Sequence, residues 1–141
     1  MNSYLPKTGL LAGWLAVSAF NAFALDGAVV ITNSGVAADH LSADELKDIY
    51  TAKTKYWGNG QAIIIVMLPD RTDAALQQAT GMDGSQFATF WQRLMFSGRG
   101  SEPQKADNAA ALVALVAATK GAIALAPPDA VLKGVKTLEV R

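Results

Sequence analysis

The densest group of residues able to do chemistry is Asp70-Arg71-Thr72-Asp73, which sets two carboxylates, a guanidinium and a hydroxyl on consecutive positions. One chemistry open to it is anion capture. A guanidinium, a hydroxyl and free backbone N–H groups at the start of a helix can enclose a small anion. A second is acid–base work, divided between Asp70 and Asp73. An ordinary helix cap accounts for the same residues, with Asp70 or Thr72 accepting from orphan N–H groups and Asp73 favouring the helix dipole. The carboxylates also repel an anion, so ligand site and cap stand about even at this point. Charged residues at a helix start need no acid–base role.

The other reactive residue types are sparse. Ser97-Gly98-Arg99-Gly100 would make an anion-binding nest, though a surface loop explains it better. His40 is the only histidine and stands in a polar stretch, without a second ligand to make a metal site. Tyr56-Trp57 would stack on a ligand or, more commonly, pack over a sheet edge. No serine occupies a nucleophile-elbow pattern. The chain reads as a non-enzyme with no catalytic residue, no metal site and no cofactor.

Around Asp70 the sequence predicts a strand–turn–helix unit. Ile63, Ile64, Ile65 and Val66 form a β-branched run without polar alternation, which suits a strand buried on both faces. Pro69 stops it. A helix is expected over 72–80, where residues 74–80 are mostly strong helix formers closed by Gly81. In open α/β folds this junction, at the carboxyl end of a strand, is where ligands sit.

The remaining elements alternate in the same way. Residues 27–32 read as a first strand. Ser42-Ala43-Asp44-Glu45 is a capping box opening a short helix over 43–50. A polar loop over 51–60 leads to the strand at 62–67. Phe87, Phe90, Trp91, Leu94 and Met95 recur at helical spacing within 84–96 and mark a core-facing stripe. Asp107 is positioned to cap an alanine-rich helix over 108–119. A strand over 122–126 follows, then a short helix opened by Pro127-Pro128-Asp129 and a last strand over 135–140. Strands alternating with helices over this length predict one α/β domain.

Composition narrows the class further. Residues 1–24 have the pattern of a secretory signal peptide: Lys7, an apolar core over 9–20, then Ala22-Phe23-Ala24. The domain is expected over 25–141, exported and periplasmic, with no stable membrane anchor. The 141-residue chain has 12 basic and 12 acidic side chains, so loss of Lys7 with a leader would leave a slight acidic excess. No basic stripe is present, which argues against nucleic acid as a partner. With no cysteine, the chain has no disulfide, thiolate metal site or thiol nucleophile.

Two longer blocks carry a family resemblance. LSADELKDIYTAKTKYWGNGQAIIIVMLPDRTDAAL resembles a segment of the phosphate-binding proteins of ABC transporters. That segment has an L-x-x-E-L-x-x-I-F-x-G-K helix, a W-x-x-G loop, a strand and a phosphate turn opening a helix. Glu45, Leu46, Ile49, Tyr50, Lys53, Trp57 and Gly60 stand at the matching places, with Leu41 one residue farther from Glu45 than the leucine of the pattern. ALVALVAATKGAIALAPPDA is similar to a later A-V-A-x-T-P-G-A-I-G-Y stretch through Val116, Ala117, Thr119, Gly121, Ala122 and Ile123. The likeness covers most of residues 28–130, and the chain looks most like the short single-domain members of that group.

The resemblance implies a single lobe of the type II periplasmic-binding-protein fold, with a central, mostly parallel sheet flanked by helices. It implies a non-catalytic solute-binding-like role, with phosphate or another small anion as ligand and an ABC permease as partner. Asp70, Arg71, Thr72 and Asp73 would form the contact. The phosphate turn of the family reads R-x-[DE]-G-S-G-T. With Asp70 at its acidic position, Leu68 falls on the arginine, Arg71 on the first glycine, Thr72 on the serine, Asp73 on the second glycine and Ala74 on the threonine. Ala124 and Leu125 replace the later Gly-Tyr. These departures favour an alternative, a periplasmic accessory or protein-interaction module that has lost its ligand. A lone lobe would also leave the site to be covered by a second copy in a homodimer.

Overall fold

The computed structural model describes Leu25 and residues 27–141; the leader expected over residues 1–24 lies outside the described residues. One six-stranded sheet organises the chain. Its strands are β1 (Val29–Asn33), β2 (His40–Leu41), β3 (Ile64–Met67), β4 (Gln104–Lys105), β5 (Ala122–Ala126) and β6 (Val135–Val140). The helices are α1 (Ala43–Tyr50), α2 (Asp73–Thr80), α3 (Gly84–Phe96) and α4 (Ala109–Ala118). The spatial order is β2-β6-β1-β5-β3-β4. β1 pairs antiparallel with both β5 and β6, and the other pairings are parallel. The expected mostly parallel sheet is present, with β1 the strand that runs against the rest.

Alternation along the strands sends side chains into two cores. Val30, Ile65, Ile123 and Leu125 face Leu46, Ile49, Tyr50, Leu76, Phe87 and Trp91 from α1, α2 and α3. Ile31, Val66, Ala122, Ala124 and Ala126 face Leu112, Val113 and Val116 of α4. The β-branched run therefore does cover both faces, as its lack of polar alternation requires. Alanines on β5 admit α4 closely. Asn33 ties the layers together, its amide donating to the carbonyls of Val116 and Ala117 at 3.0 Å, at the end of α4.

Helix boundaries follow their caps. Ser42 and Glu45 form the expected capping box on α1, and Asp83 and Gln86 form another on α3. Asn108 rather than Asp107 caps α4, its side chain accepting from Ala111 N–H at 2.8 Å. At the end of α3, Gly98 N–H donates to Met95 and Arg99 N–H to Leu94, with Gly98 at φ 72°. This is a Schellman stop. It engages the N–H groups of Gly98 and Arg99, so residues 97–100 form a helix stop rather than an anion nest.

The short helix expected at Pro127-Pro128-Asp129 does not form. Ala130 N–H closes a single turn onto Pro127 O at 3.1 Å, and the chain then runs irregularly to β6. Two prolines supply a helix-like φ, but no apolar repeat follows to pack a helix down. The two-residue strands β2 and β4 are too short to show a period. Among the described residues, no helix is long and apolar enough to cross a membrane.

Tyr50 carries a testable anomaly. Its ring is buried against Phe87, and its hydroxyl has no hydrogen-bond partner. Burial raises the phenol above its ordinary value of 10.0. The folded state therefore holds this proton more tightly than the unfolded state, and stability falls as pH rises above about 10. Tyr50→Phe is expected to leave stability at neutral pH unchanged or raised by up to about 1 kcal/mol, since no bond is lost. It should also flatten the alkaline decline. Urea denaturation at neutral and alkaline pH checks both; a loss above about 2 kcal/mol at neutral pH would reveal a hidden partner.

Candidate functional site at the carboxyl edge of the sheet

β3 and β5 are adjacent and parallel, with Ile64 level with Ala122 and Val66 with Ala124. The turns that follow them therefore emerge at one edge. This explains how Arg71 meets Asp129 across a separation of 58 residues: Arg71 Nη2 lies 3.1 Å from Asp129 Oδ1 and 3.4 Å from Oδ2. Both side chains are at least half exposed, so the pair clips two loops together and contributes about 0–1 kcal/mol. Asp129 is the member of the site that the sequence does not reveal. Knowing that β5 lies beside β3 would have pointed to it.

The structure brings Asp70, Arg71, Thr72 and Asp73 to the amino end of α2 but gives them separate tasks. Asp70 is exposed and adopts φ 70°, a left-handed conformation that aspartate tolerates better than most residues. Thr72 is buried and occupies the N-cap position, yet makes no side-chain cap bond. Its hydroxyl donates back to Leu68 O at 3.4 Å, a long contact. The carboxylate of Asp73 turns toward α3; a Cβ placed on Gly84, the first residue of α3, would stand 3.3 Å from Asp73 Oδ2.

These placements leave the start of α2 open. The intrahelical ladder begins with Leu76 N–H on Thr72 O at 2.9 Å, so the N–H groups of Asp73, Ala74 and Ala75 precede it without a side-chain cap. α1, α3 and α4 are each capped by a side chain. The expected cap roles of Asp70 and Thr72 are thus not realised. Arg71 uses Nη2 on Asp129, leaving Nε and Nη1 as donors beside the mouth.

The remaining sequence candidates do not join this edge. His40 is exposed on β2, and no group of three or more histidine, cysteine, aspartate or glutamate residues able to hold a metal occurs among the described residues. Tyr56 and Trp57 part company. Tyr56 is exposed, while Trp57 is buried and its indole N–H donates to Gly121 O at 3.0 Å. In the aromatic stripe of α3, Phe87 and Trp91 are buried in the core.

Comparison with solved structures decides the architecture. The chain superposes on a protein from Clostridium perfringens assigned as a phosphate ABC transporter substrate-binding protein and solved with bound phosphate. The TM-score is 0.63, identity is 22%, and 81% of this chain is covered. The fold is that of phosphate-binding proteins. A second phosphate-binding-protein-like match, an ABC-type phosphate transport receptor from Vibrio cholerae, has a TM-score of 0.55, 18% identity and 84% coverage of this chain. The chain spans 44% and 48% of the lengths of these two proteins, a single lobe of the fold. No family model and no curated protein matches the chain.

Proposed function

We propose that the chain is an exported, non-catalytic solute-binding lobe that takes phosphate or another small anion at the amino end of α2, as one component of an ABC-type uptake system. The observation that carries this reading is the uncapped start of α2. Three backbone N–H groups and the positive end of the helix dipole converge at the carboxyl edge of β3. Arg71 stands beside them with two donor nitrogens unengaged. Thr72 contributes its hydroxyl once the long contact to Leu68 O is released. Asp70 sets the limit on affinity, and also gives a partly protonated phosphate an acceptor that sulfate cannot use. The likeness to a protein solved with bound phosphate supports this choice of ligand.

Titration calorimetry of the full chain with phosphate, and separately with sulfate, tests the site. The expected result is phosphate binding in the micromolar to millimolar range, weaker sulfate binding, and a loss of about ten-fold or more for phosphate in Arg71→Ala. Its melting temperature should barely change, because the side chain is half exposed and its ion pair is weak. Absence of heat up to about 10 mM phosphate would overturn the reading.

One observation favours a second reading, an accessory or protein-interaction module that has kept the lobe and lost the ligand. Asp129 already partners Arg71, and Asp70 leaves a further carboxylate at the mouth. On that reading phosphate gives no heat. A second copy covering the same edge would then appear in small-angle scattering as a mass that rises with concentration.

A further inference from the structure

β3 has an unfinished edge. Ile64 N–H donates to Gly121 O at 3.1 Å, so Ile64, and Val66 with it, turn their backbone groups toward β5. The groups of Ile63, Ile65 and Met67 therefore face the opposite side. There Ile63 N–H donates to Lys55 O at 3.0 Å, and Met67 O accepts from Ala106 N–H at 2.8 Å. β4 begins only at Gln104, level with Val66. In the slanted parallel pattern this puts Gln104 N–H on Ile65 O and Met67 N–H on Gln104 O. Two groups are left over, Ile63 C=O and Ile65 N–H. Neither has a hydrogen-bond partner among the described residues, and Ile65 is only 7% exposed. A backbone donor so placed calls for an acceptor.

A cavity of about 400 Å³ opens at this gap. Ile49, Ile63, Ile65 and Trp91 contribute apolar lining, and Lys55, Arg99 and Glu102 bring both signs of charge. None of Asp70, Arg71, Thr72 and Asp73 lines it, so it is separate from the α2 mouth.

We infer that this gap binds a free α-amino acid, whose ammonium donates to Ile63 O and whose carboxylate accepts from Ile65 N–H. In a parallel sheet, a single residue level with Ile64 makes both of these bonds. A longer peptide is stopped at each end, because Lys55 O already holds Ile63 N–H and Gln104 N–H already holds Ile65 O. The ligand is therefore one residue long. A free amino acid ends in a charge on both sides, which strengthens each bond. Each of those charges also finds an opposite one in the lining. The volume lies in the range of small-molecule sites, and the apolar lining suits an aliphatic side chain. This site goes beyond the phosphate reading. No phosphate enters its test, so its failure leaves the α2 reading standing.

The test is amide-detected NMR of the full chain titrated with aminocyclopentanecarboxylate, which carries amine and carboxylate on one carbon. The probe is achiral, so its apolar ring serves either face. Cyclopentylamine and cyclopentanecarboxylate, each lacking one of the two groups, are the controls. The probe should bind in the millimolar range or tighter, and Ile65 N–H should show the largest downfield displacement of any amide. Ile64 N–H, already held by Gly121 O, should move less. Each control should bind about ten-fold or more weakly. No displacement at about 10 mM probe, or binding of either control as tight as the probe, would overturn the inference. A response that spares Ile65 N–H would overturn it equally.

Discussion

Gly121→Ala is expected to destabilise the chain by about 4 kcal/mol or more, lowering the melting temperature by roughly 15 °C. Gly121 sits at φ 80°, between the end of α4 and the start of β5, with its backbone pressed against β3's approach. A Cβ there would fall onto the carbonyl oxygen of Ala62. Relief requires β5 and β3 to separate, and both are interior strands, flanked by β1 on one side and β4 on the other. The left-handed φ adds about 1–2 kcal/mol for an L residue. Gly134→Ala isolates that second contribution. Its φ is 78°, but the nearest neighbour to an added Cβ is Ala117 Cβ at 3.6 Å, so a loss of only about 1–2 kcal/mol is expected. Thermal melts of both variants measure the difference, and equal losses would show that the close approach to Ala62 is relieved cheaply.

Trp57→Ala is expected to cost about 3–5 kcal/mol, the range for emptying a buried aromatic site. The indole joins the core formed with α1, α2 and α3, and its N–H reaches across to Gly121 O. That carbonyl also accepts from Ile64 N–H at 3.1 Å, so it retains one partner when the indole is gone. Trp57→Phe keeps most of the apolar area and loses the N–H, for an expected cost of about 1–2 kcal/mol. Urea denaturation should shift the midpoint in both variants with the slope unchanged. A cost for Trp57→Ala no larger than for Trp57→Phe would mean that the loop over 51–60 collapses to fill the space.

The strand–turn–helix around Asp70 was legible because its signals are local. Consecutive β-branched residues mark a strand buried on both faces, Pro69 marks its stop, and Gly81 marks the left-handed residue after α2, where φ is 80°. Both halves of the α1 capping box were equally plain. Which residue caps α2 was less so. Asp70, Thr72 and Asp73 all have suitable side chains, but a side-chain cap needs extended backbone. Ser42, Asp83 and Asn108 have it, with ψ of 164°, 177° and 173°. Thr72, at ψ 23°, does not. Residue type does not report that angle.

What escaped the sequence depends on contacts between distant segments. The pairing of Arg71 with Asp129 follows from the adjacency of β3 and β5, which nothing near either residue encodes. The same holds for Trp57 and Gly121, which each block of the resemblance presents separately and which a hydrogen bond joins. Pro127-Pro128-Asp129 misled for the opposite reason. Its local signal was strong, and no apolar face stood behind it.

The direction of β1 bears on when this molecule can become a molecule at all. Its two neighbours are supplied by residues far along the chain: Val30 lies beside Leu125 on one side and Leu138 on the other. A polypeptide lengthening from its amino end can close α1 and α2 early, yet the centre of its sheet waits for residues synthesised about a hundred positions later. Until β5 and β6 arrive, Val30 and Ile31 have no strand partner. Such long-range closure is slow. Under the proposed export, delay is an asset: the polypeptide would stay threadable through a translocation channel, and its last strands would complete the fold on the far side.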